Sequence, residues 1–258
     1  MVIVCINNKG GVGKTTITTN IAHGLANRGK RILVIDQDPQ ANTTSILAPE
    51  SQRTNTIHNL YTENESVEKY IHPTPYESLD VIPNENATAA MQIELYRSVA
   101  SSYRLLREKT RDYAISNYDH TLIDCPPNLG IFVMMALVAA DSAIVPVEAG
   151  SRFAIDGFIA AFEAIEMTSK KLNHNLQFLR AVINKVDMRT SISKTSVEYL
   201  RRQFSDKIFN TTIPLNTDVM KAEMSRQTVL RHAPHSTGAK RFRALTEELL
   251  GIISKNNL

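Results

Sequence analysis

The chain has 258 residues, 43% hydrophobic and 21% charged, with no tryptophan. That is enough to bury a core on both faces of a sheet, as one large α/β domain or two small ones. With 29 Lys and Arg against 26 Asp and Glu the net charge is +3, which permits nucleic-acid binding without requiring it, and no apolar run approaches the roughly 18 residues that cross a bilayer.

Val2, Ile3, Val4 and Ile6 form a β-branched apolar run. A helical pattern follows over 15–28, with Ile17, Ile21 and Leu25 on one face and Gly29 as its stop. Between them lies Asn7-Asn8-Lys9-Gly10-Gly11-Val12-Gly13-Lys14-Thr15-Thr16. Strand, glycine-rich turn, Gly-Lys-Thr and helix together are the grammar of a phosphate-binding loop. Glycines let backbone N–H groups curl around a phosphate, and the helix N-terminus adds partial positive charge. Lys14 is expected to reach the β- and γ-phosphates and the Thr15 hydroxyl to ligate Mg²⁺. Asn8 stands where the usual motif has its first glycine, and Lys9 puts a second lysine at the start of the loop. The loop begins too early to leave room for a signal peptide, and Cys5 and Cys125 each sit in an apolar run, so a reduced, cytoplasmic protein with buried free thiols is expected.

Arg31–Ile35 reads as a buried strand ending in Asp36-Gln37-Asp38-Pro39-Gln40. Asp36 and Asp38 alternate along extended backbone, at the strand end where open α/β sheets bind ligands. As a pair they suit Mg²⁺-bound and attacking water; either alone could instead start a helix. Residues 50–77 are polar and turn-rich, 79–83 suggest a short strand and 88–113 a long helix. The apolar strand over 118–124 ends in Asp124-Cys125-Pro126-Pro127, placing Asp124 to bind Mg²⁺ through water. A helix over 128–140, with Met134 and Met135 in the core or an interface, precedes a strand over 141–147, a helix over 153–172 and a strand over 177–183. That last strand ends in Asn184-Lys185-Val186-Asp187, a short match to the guanine-reading motif of GTPases that leaves the role of Asp187 open. A helix over 190–204 with a basic stripe, a strand over 207–213 closed by Pro214, a short helix over 219–224 and a helix over 239–253 complete the chain. The alternation predicts one α/β domain, a mostly parallel twisted sheet with helices on both faces, of P-loop NTPase type.

Lys9-Gly10-Gly11-Val12-Gly13-Lys14-Thr15-Thr16 resembles the deviant P-loop of the ParA/MinD ATPases, and the later segments extend the resemblance over nearly the whole chain. It implies ATP and Mg²⁺ as cofactors, with Lys9 reaching across a homodimer to the partner's nucleotide. D-x-D-P-Q is similar to the family's motif after the second strand, implying that Asp38 positions the hydrolytic water and lies with Thr15 and Asp124 at the metal. Asp124-Cys125-Pro126-Pro127 resembles the segment that leads into a nucleotide-sensitive loop. Asn184 would contact adenine, and Ile213-Pro214-Leu215-Asn216 resembles the loop that packs on it, although Leu215 stands where the family often has Arg.

Three functions compete. A ParA-type segregation ATPase would form an ATP-sandwich dimer, bind nonspecific double-stranded DNA, and be released when a ParB-like centromere-binding partner stimulates hydrolysis. Residues 185–243 hold twelve Lys and Arg against five acids, so the basic excess is concentrated there. Arg189, Lys194, Arg201, Lys221, Arg226 and Arg231 are the candidates for DNA contact, Arg189 first because it follows the base-contacting strand as in family members. A MinD-like ATPase would need a basic amphipathic C-terminal helix for the membrane surface, and Glu247 and Glu248 argue against one, while relatives that position cargo other than DNA would carry the same motifs. A metabolic or redox relative is the third: an iron–sulfur protein would need cysteines in loops near a dimer axis, which neither Cys5 in the first strand nor Cys125 beside Asp124 supplies, and a small-molecule synthetase would have little use for Lys9. Because the first strand starts at Val2, no helix-turn-helix domain is expected ahead of it.

Overall fold

The computed structural model describes residues 1–49, 54–150 and 152–255, and of these the side chains of 152–154 are left undescribed. The start of the turn-rich stretch, 50–53, and the last residues, 256–258, lie outside the described residues.

Seven strands form one sheet: β1 (Val2–Cys5), β2 (Ile32–Asp36), β3 (His72–Pro73), β4 (Leu79–Ile82), β5 (His120–Asp124), β6 (Ser142–Glu148) and β7 (Gln177–Asn184). Their order is β3-β4-β2-β5-β1-β6-β7, parallel throughout except for the antiparallel pairing of β3 with β4 at one edge. Period-two alternation splits the first strand between two cores. Val2, Val4 and Ile6 face one, Ile3 and Cys5 the other.

On the second side lie α1 (Lys14–Ala26), α2 (Asn42–Leu47), α9 (Thr217–Met224), α10 (Val229–His232) and α11 (Thr237–Lys255). On the first lie α3 (Ile57–Thr62), α4 (Met91–Arg97), α5 (Val99–Asn117), α6 (Ile131–Ala139), α7 (Arg152–Lys171) and α8 (Ser191–Phe204). Every residue of α6 is buried, which accounts for Met134 and Met135 as core. Both cysteines are buried and free. No helix among the described residues is long and apolar enough to cross a membrane.

Three elements differ from expectation. The predicted helix over 88–113 is broken at Ser98 (φ −133°, ψ 55°) into α4 and α5, preceded by a 3₁₀ turn over Asn86–Ala90. The helix expected from 128 starts at Ile131, behind extended Gly130. The predicted strand over 207–213 makes only isolated parallel bridges, Ala181 with Ile208 and Val186 with Pro214. Between the bridges the Glu248 carboxylate accepts the Asn210 and Thr211 N–H groups at 2.6 and 2.8 Å, so these amides are satisfied by α11 rather than by a ladder.

The parallel register brings the strand ends together. Cys5 and Asp36 both pair with Asp124, and Glu148 pairs with Asn184. All five are at the C-terminal edge of the sheet, where α/β sheets place ligands.

Candidate nucleotide site

The loop from Asn7 to Gly13 leaves β1 at this edge and enters α1. Gly11 (φ +77°) and Gly13 (φ +94°) are left-handed, and a Cβ on Gly13 would collide with the Asn184 amide nitrogen. Gly13 is also the N-cap of α1, and no side chain caps that end, so the first amides of α1 are offered to whatever lies above the loop. Asn184 Nδ2 donates to the Val12 carbonyl at 2.8 Å and Lys185 Nζ to that of Gly11 at 2.6 Å. The end of β7 thereby fixes the loop.

A cleft of about 460 Å³ opens over it, lined by Gly10, Gly11, Gly13, Lys14, Thr15, Thr16, Asp38, Gln40, Asn42, Ser45, Ile46, Pro127, Lys185 and Glu223. Lys14 is buried, its ammonium resting 3.3 Å from the Lys9 carbonyl. Lys9 takes another direction. Asn7 donates to the Pro146 carbonyl at 2.6 Å and accepts the Lys9 N–H at 2.8 Å, and the Lys9 ammonium pairs with Glu148 at 2.9 Å.

Asp124 is fully buried, and its Oδ2 accepts the hydroxyls of Thr15 and Thr43, both at 2.7 Å. Burial pushes its carboxyl up to about 6, against the pull of those two hydrogen bonds. Asp38 lines the cleft and accepts the Gln40 N–H at 2.9 Å. Its carboxyl is also raised by burial, with the Gln40 hydrogen bond and Lys14 opposing.

Asp36 does not join Asp38 on an open face, as alternation suggested. It points inward, where Oδ2 accepts the Thr44 N–H and hydroxyl at 2.8 and 2.7 Å and Oδ1 accepts the Asp38 N–H at 3.1 Å. Burial, then the charge of Asp124, push it up to about 8. With Oδ2 taken by Thr44 and Oδ1 by the Asp38 N–H, it is a buried strut beneath Asp38.

Asn216 spends its side-chain oxygen capping α9, accepting the Asp218 and Val219 N–H groups. Pro214 bridges Val186, and the Leu215 N–H donates to the Val186 carbonyl at 3.0 Å, so the 184–189 and 214–216 loops run side by side. Asp187 is turned away from the cleft: both its oxygens accept from the Arg189 guanidinium, at 2.9 and 2.8 Å, which holds its carboxyl down at about 2.

The expected DNA contacts divide. Arg189, Lys194 and Lys221 stand exposed around these two loops, and Arg226 is exposed just past α9 in a left-handed turn (φ +52°). Arg201 donates to the Asn210 carbonyl at 2.7 Å, and Arg231 lies over the Tyr76 ring, 5.5 Å from its centre. No motif pointed to Thr43, Thr44, Glu148 or Glu223, because isolated polar residues acquire meaning only once the fold brings them to the strand ends.

Amides aimed from left-handed glycines, a buried lysine and a Thr hydroxyl beside an Asp carboxylate fit a magnesium-bound triphosphate. The fold and the cleft together define a P-loop nucleoside triphosphatase. Residues 1–178 match the family model described as an AAA domain. The chain is 33% identical over 249 residues to the sporulation initiation inhibitor protein Soj of Bacillus subtilis (strain 168), covering 96% of this chain and 97% of that one. It is 35% identical over 253 residues to the chromosome-partitioning ATPase Soj of Thermus thermophilus, covering 98% and 96%. The chain belongs to the Soj/ParA family of partition ATPases, and it is an ATPase. In fold it is similar to the cobyrinic acid a,c-diamide synthase of Mycobacterium smegmatis, solved with an ATP analogue and magnesium, at a TM-score of 0.83 and 24% identity over 100% of this chain and 96% of that one. A synthase on the same fold shows why the architecture alone does not name the task.

Proposed function

We propose that this ATPase is a DNA-segregation switch. Two copies close face to face over two nucleotides, the closed dimer holds nonspecific double-stranded DNA, and a ParB-like centromere-binding partner triggers hydrolysis and release in the cytoplasm, over the nucleoid. Lys14, the amides of Gly10–Thr16 and the Thr15 hydroxyl would hold the triphosphate and its magnesium together with Asp124, the ion would offset the charge on the phosphates, and Asp38 would position the attacking water. Asn184, Pro214 and Asn216 frame the base.

The observation that carries the reading is Lys9. Its ammonium sits at the rim of the cleft on Glu148, not beside Lys14. The loop thus has one lysine for its own phosphates and a second on a half-exposed ion pair, of a kind worth about 0–1 kcal/mol and easily exchanged for a phosphate of a facing copy. For DNA, the exposed Arg189, Lys194 and Lys221 around the base-side loops supply phosphate-neutralising charge, with Arg226, Arg201 and Arg231 further along the same third of the chain. The membrane-surface alternative loses support from α11, whose Phe242, Leu245, Leu249 and Ile253 are buried in the chain's own core.

Light scattering and gel shift test the proposal. Lys9→Ala is expected to remain monomeric with ATP and Mg²⁺, where the unsubstituted chain dimerises. Arg189→Glu is expected to dimerise yet lose binding to random duplex DNA. An unchanged dimer with Lys9→Ala would sink the sandwich, and a wild-type shift with Arg189→Glu would move DNA binding to another surface.

A further inference from the structure

Among the described residues, two acidic side chains line the cleft, Asp38 and Glu223. Asp38 has a place at the hydrolytic end. Glu223, near the end of α9, has none in the chemistry of phosphate cleavage.

The Glu223 carboxylate accepts the hydroxyl of Thr16, across 207 positions of the chain. Thr16 is the third residue of α1, so Glu223 stands directly beside the helix end that offers its amides to phosphate. A carboxylate there is at odds with the loop it faces. It repels every phosphate the loop is built to attract, although its exposure to solvent screens part of that repulsion. An acid in this position has a use only if the bound molecule brings donors to it. A nucleoside triphosphate brings two such donors immediately beyond the α-phosphate, the 2′- and 3′-hydroxyls of ribose. Acceptance of ribose hydroxyls by a carboxylate is the arrangement that dinucleotide-binding α/β folds also use. The O–H···O⁻ bond from Thr16 is the same chemistry, with the threonine hydroxyl in place of a sugar hydroxyl.

We propose that Glu223 is the sugar-specificity residue of this ATPase, exchanging the Thr16 hydroxyl for the ribose hydroxyls of the incoming nucleotide. Its negative charge then works in both directions. It favours a ribonucleotide through charge-assisted hydrogen bonds, and it disfavours a deoxyribonucleotide, whose phosphates it still repels while receiving fewer donors in return. The inference needs only the ATPase activity and stands apart from the DNA-segregation reading, so either can fail without the other.

The test is steady-state hydrolysis of ATP, 2′-deoxy-ATP and 3′-deoxy-ATP by the full chain and by Glu223→Ala. The full chain is expected to favour ATP in kcat/KM by about 10- to 100-fold over at least one deoxy analogue, the range set by losing a hydrogen bond to a charged group. In Glu223→Ala that preference is expected to collapse to within about threefold, with ATP losing and the deoxy analogue holding or gaining. A ratio between two substrates on one preparation does not depend on the active fraction, so partial misfolding cannot imitate the collapse. An unsubstituted chain that hydrolyses all three equally would overturn the proposal, as would a Glu223→Ala variant that keeps the original preference.

Discussion

The Thr44 hydroxyl does two jobs. It donates to Asp36 Oδ2 at 2.7 Å and accepts the Asn84 N–H at 2.8 Å, with the residue wholly buried. Thr44→Val keeps the shape, strands the Asn84 N–H and leaves Asp36 Oδ2 with the Thr44 backbone N–H alone, and a buried group left without its hydrogen bond costs about 1–3 kcal/mol. The variant is expected to lose about 1–3 kcal/mol in urea unfolding, by the same reasoning. A loss under 1 kcal/mol would mean that Asp36 and Asn84 find other partners. The residues of the loop itself were legible in the sequence, since Gly13, Lys14 and Thr15 form a local pattern whose chemistry depends on spacing alone. Thr44, Thr43 and Glu223 were not, because each meets its partner across 8, 81 and 207 positions. Asp36 was misread for a related reason: alternation tells which face a strand residue occupies but not that a threonine eight residues on will fold back to cover it.

Between elements, α1 and α11 approach each other closely at Gly24. A Cβ on Gly24 would collide with the Thr246 hydroxyl and lie 3.2 Å from its Cβ, and a β-branched side chain cannot swing aside. Gly24→Ala gains about 1 kcal/mol of helix propensity but forces the two helices apart. Overpacking of this kind costs about 1–3 kcal/mol, so a net loss is expected. Adding Thr246→Ala should remove the clash and leave the double variant more stable than Gly24→Ala alone. Additive losses in that cycle would show that the two residues do not couple. Most elements were readable from periodicity, because their apolar faces are long enough to show it. The segment over 207–213 failed the same reading. Its apolar residues satisfy a strand pattern, and Phe209 and Ile213 do donate to β7, but the carboxylate that takes the Asn210 and Thr211 amides between them belongs to a helix almost forty residues later.

For the whole molecule, acid response separates groups that act in opposite directions. His23 and His120 are both buried, and burial holds each ring down at about 4, with Arg231 adding to the effect on His23 and the N-terminal ammonium and Lys30 on His120. An unfolded chain protonates these rings near 6.5. Between about 6.5 and 4 the unfolded state therefore binds more protons, and the histidines withdraw stability as the pH falls. Asp36, held up at about 8, does the reverse: the folded state keeps a proton that the unfolded state releases, so its contribution is present in acid and lost as the pH rises toward 8. A single stability curve mixes these terms, and a shallow one would be ambiguous. The difference between two proteins isolates the rings. His23→Gln with His120→Gln removes both while leaving Asp36 in place, and Gln can still hydrogen-bond the Thr228 hydroxyl that His23 meets at 2.6 Å. The melting temperature of the original chain is expected to fall progressively below that of the double variant, relative to their difference at pH 7.5, as the pH is lowered from 6.5 to 4. Parallel curves over that window would mean that the two rings titrate in the folded protein as they do in water, and that their burial leaves them open to solvent protons.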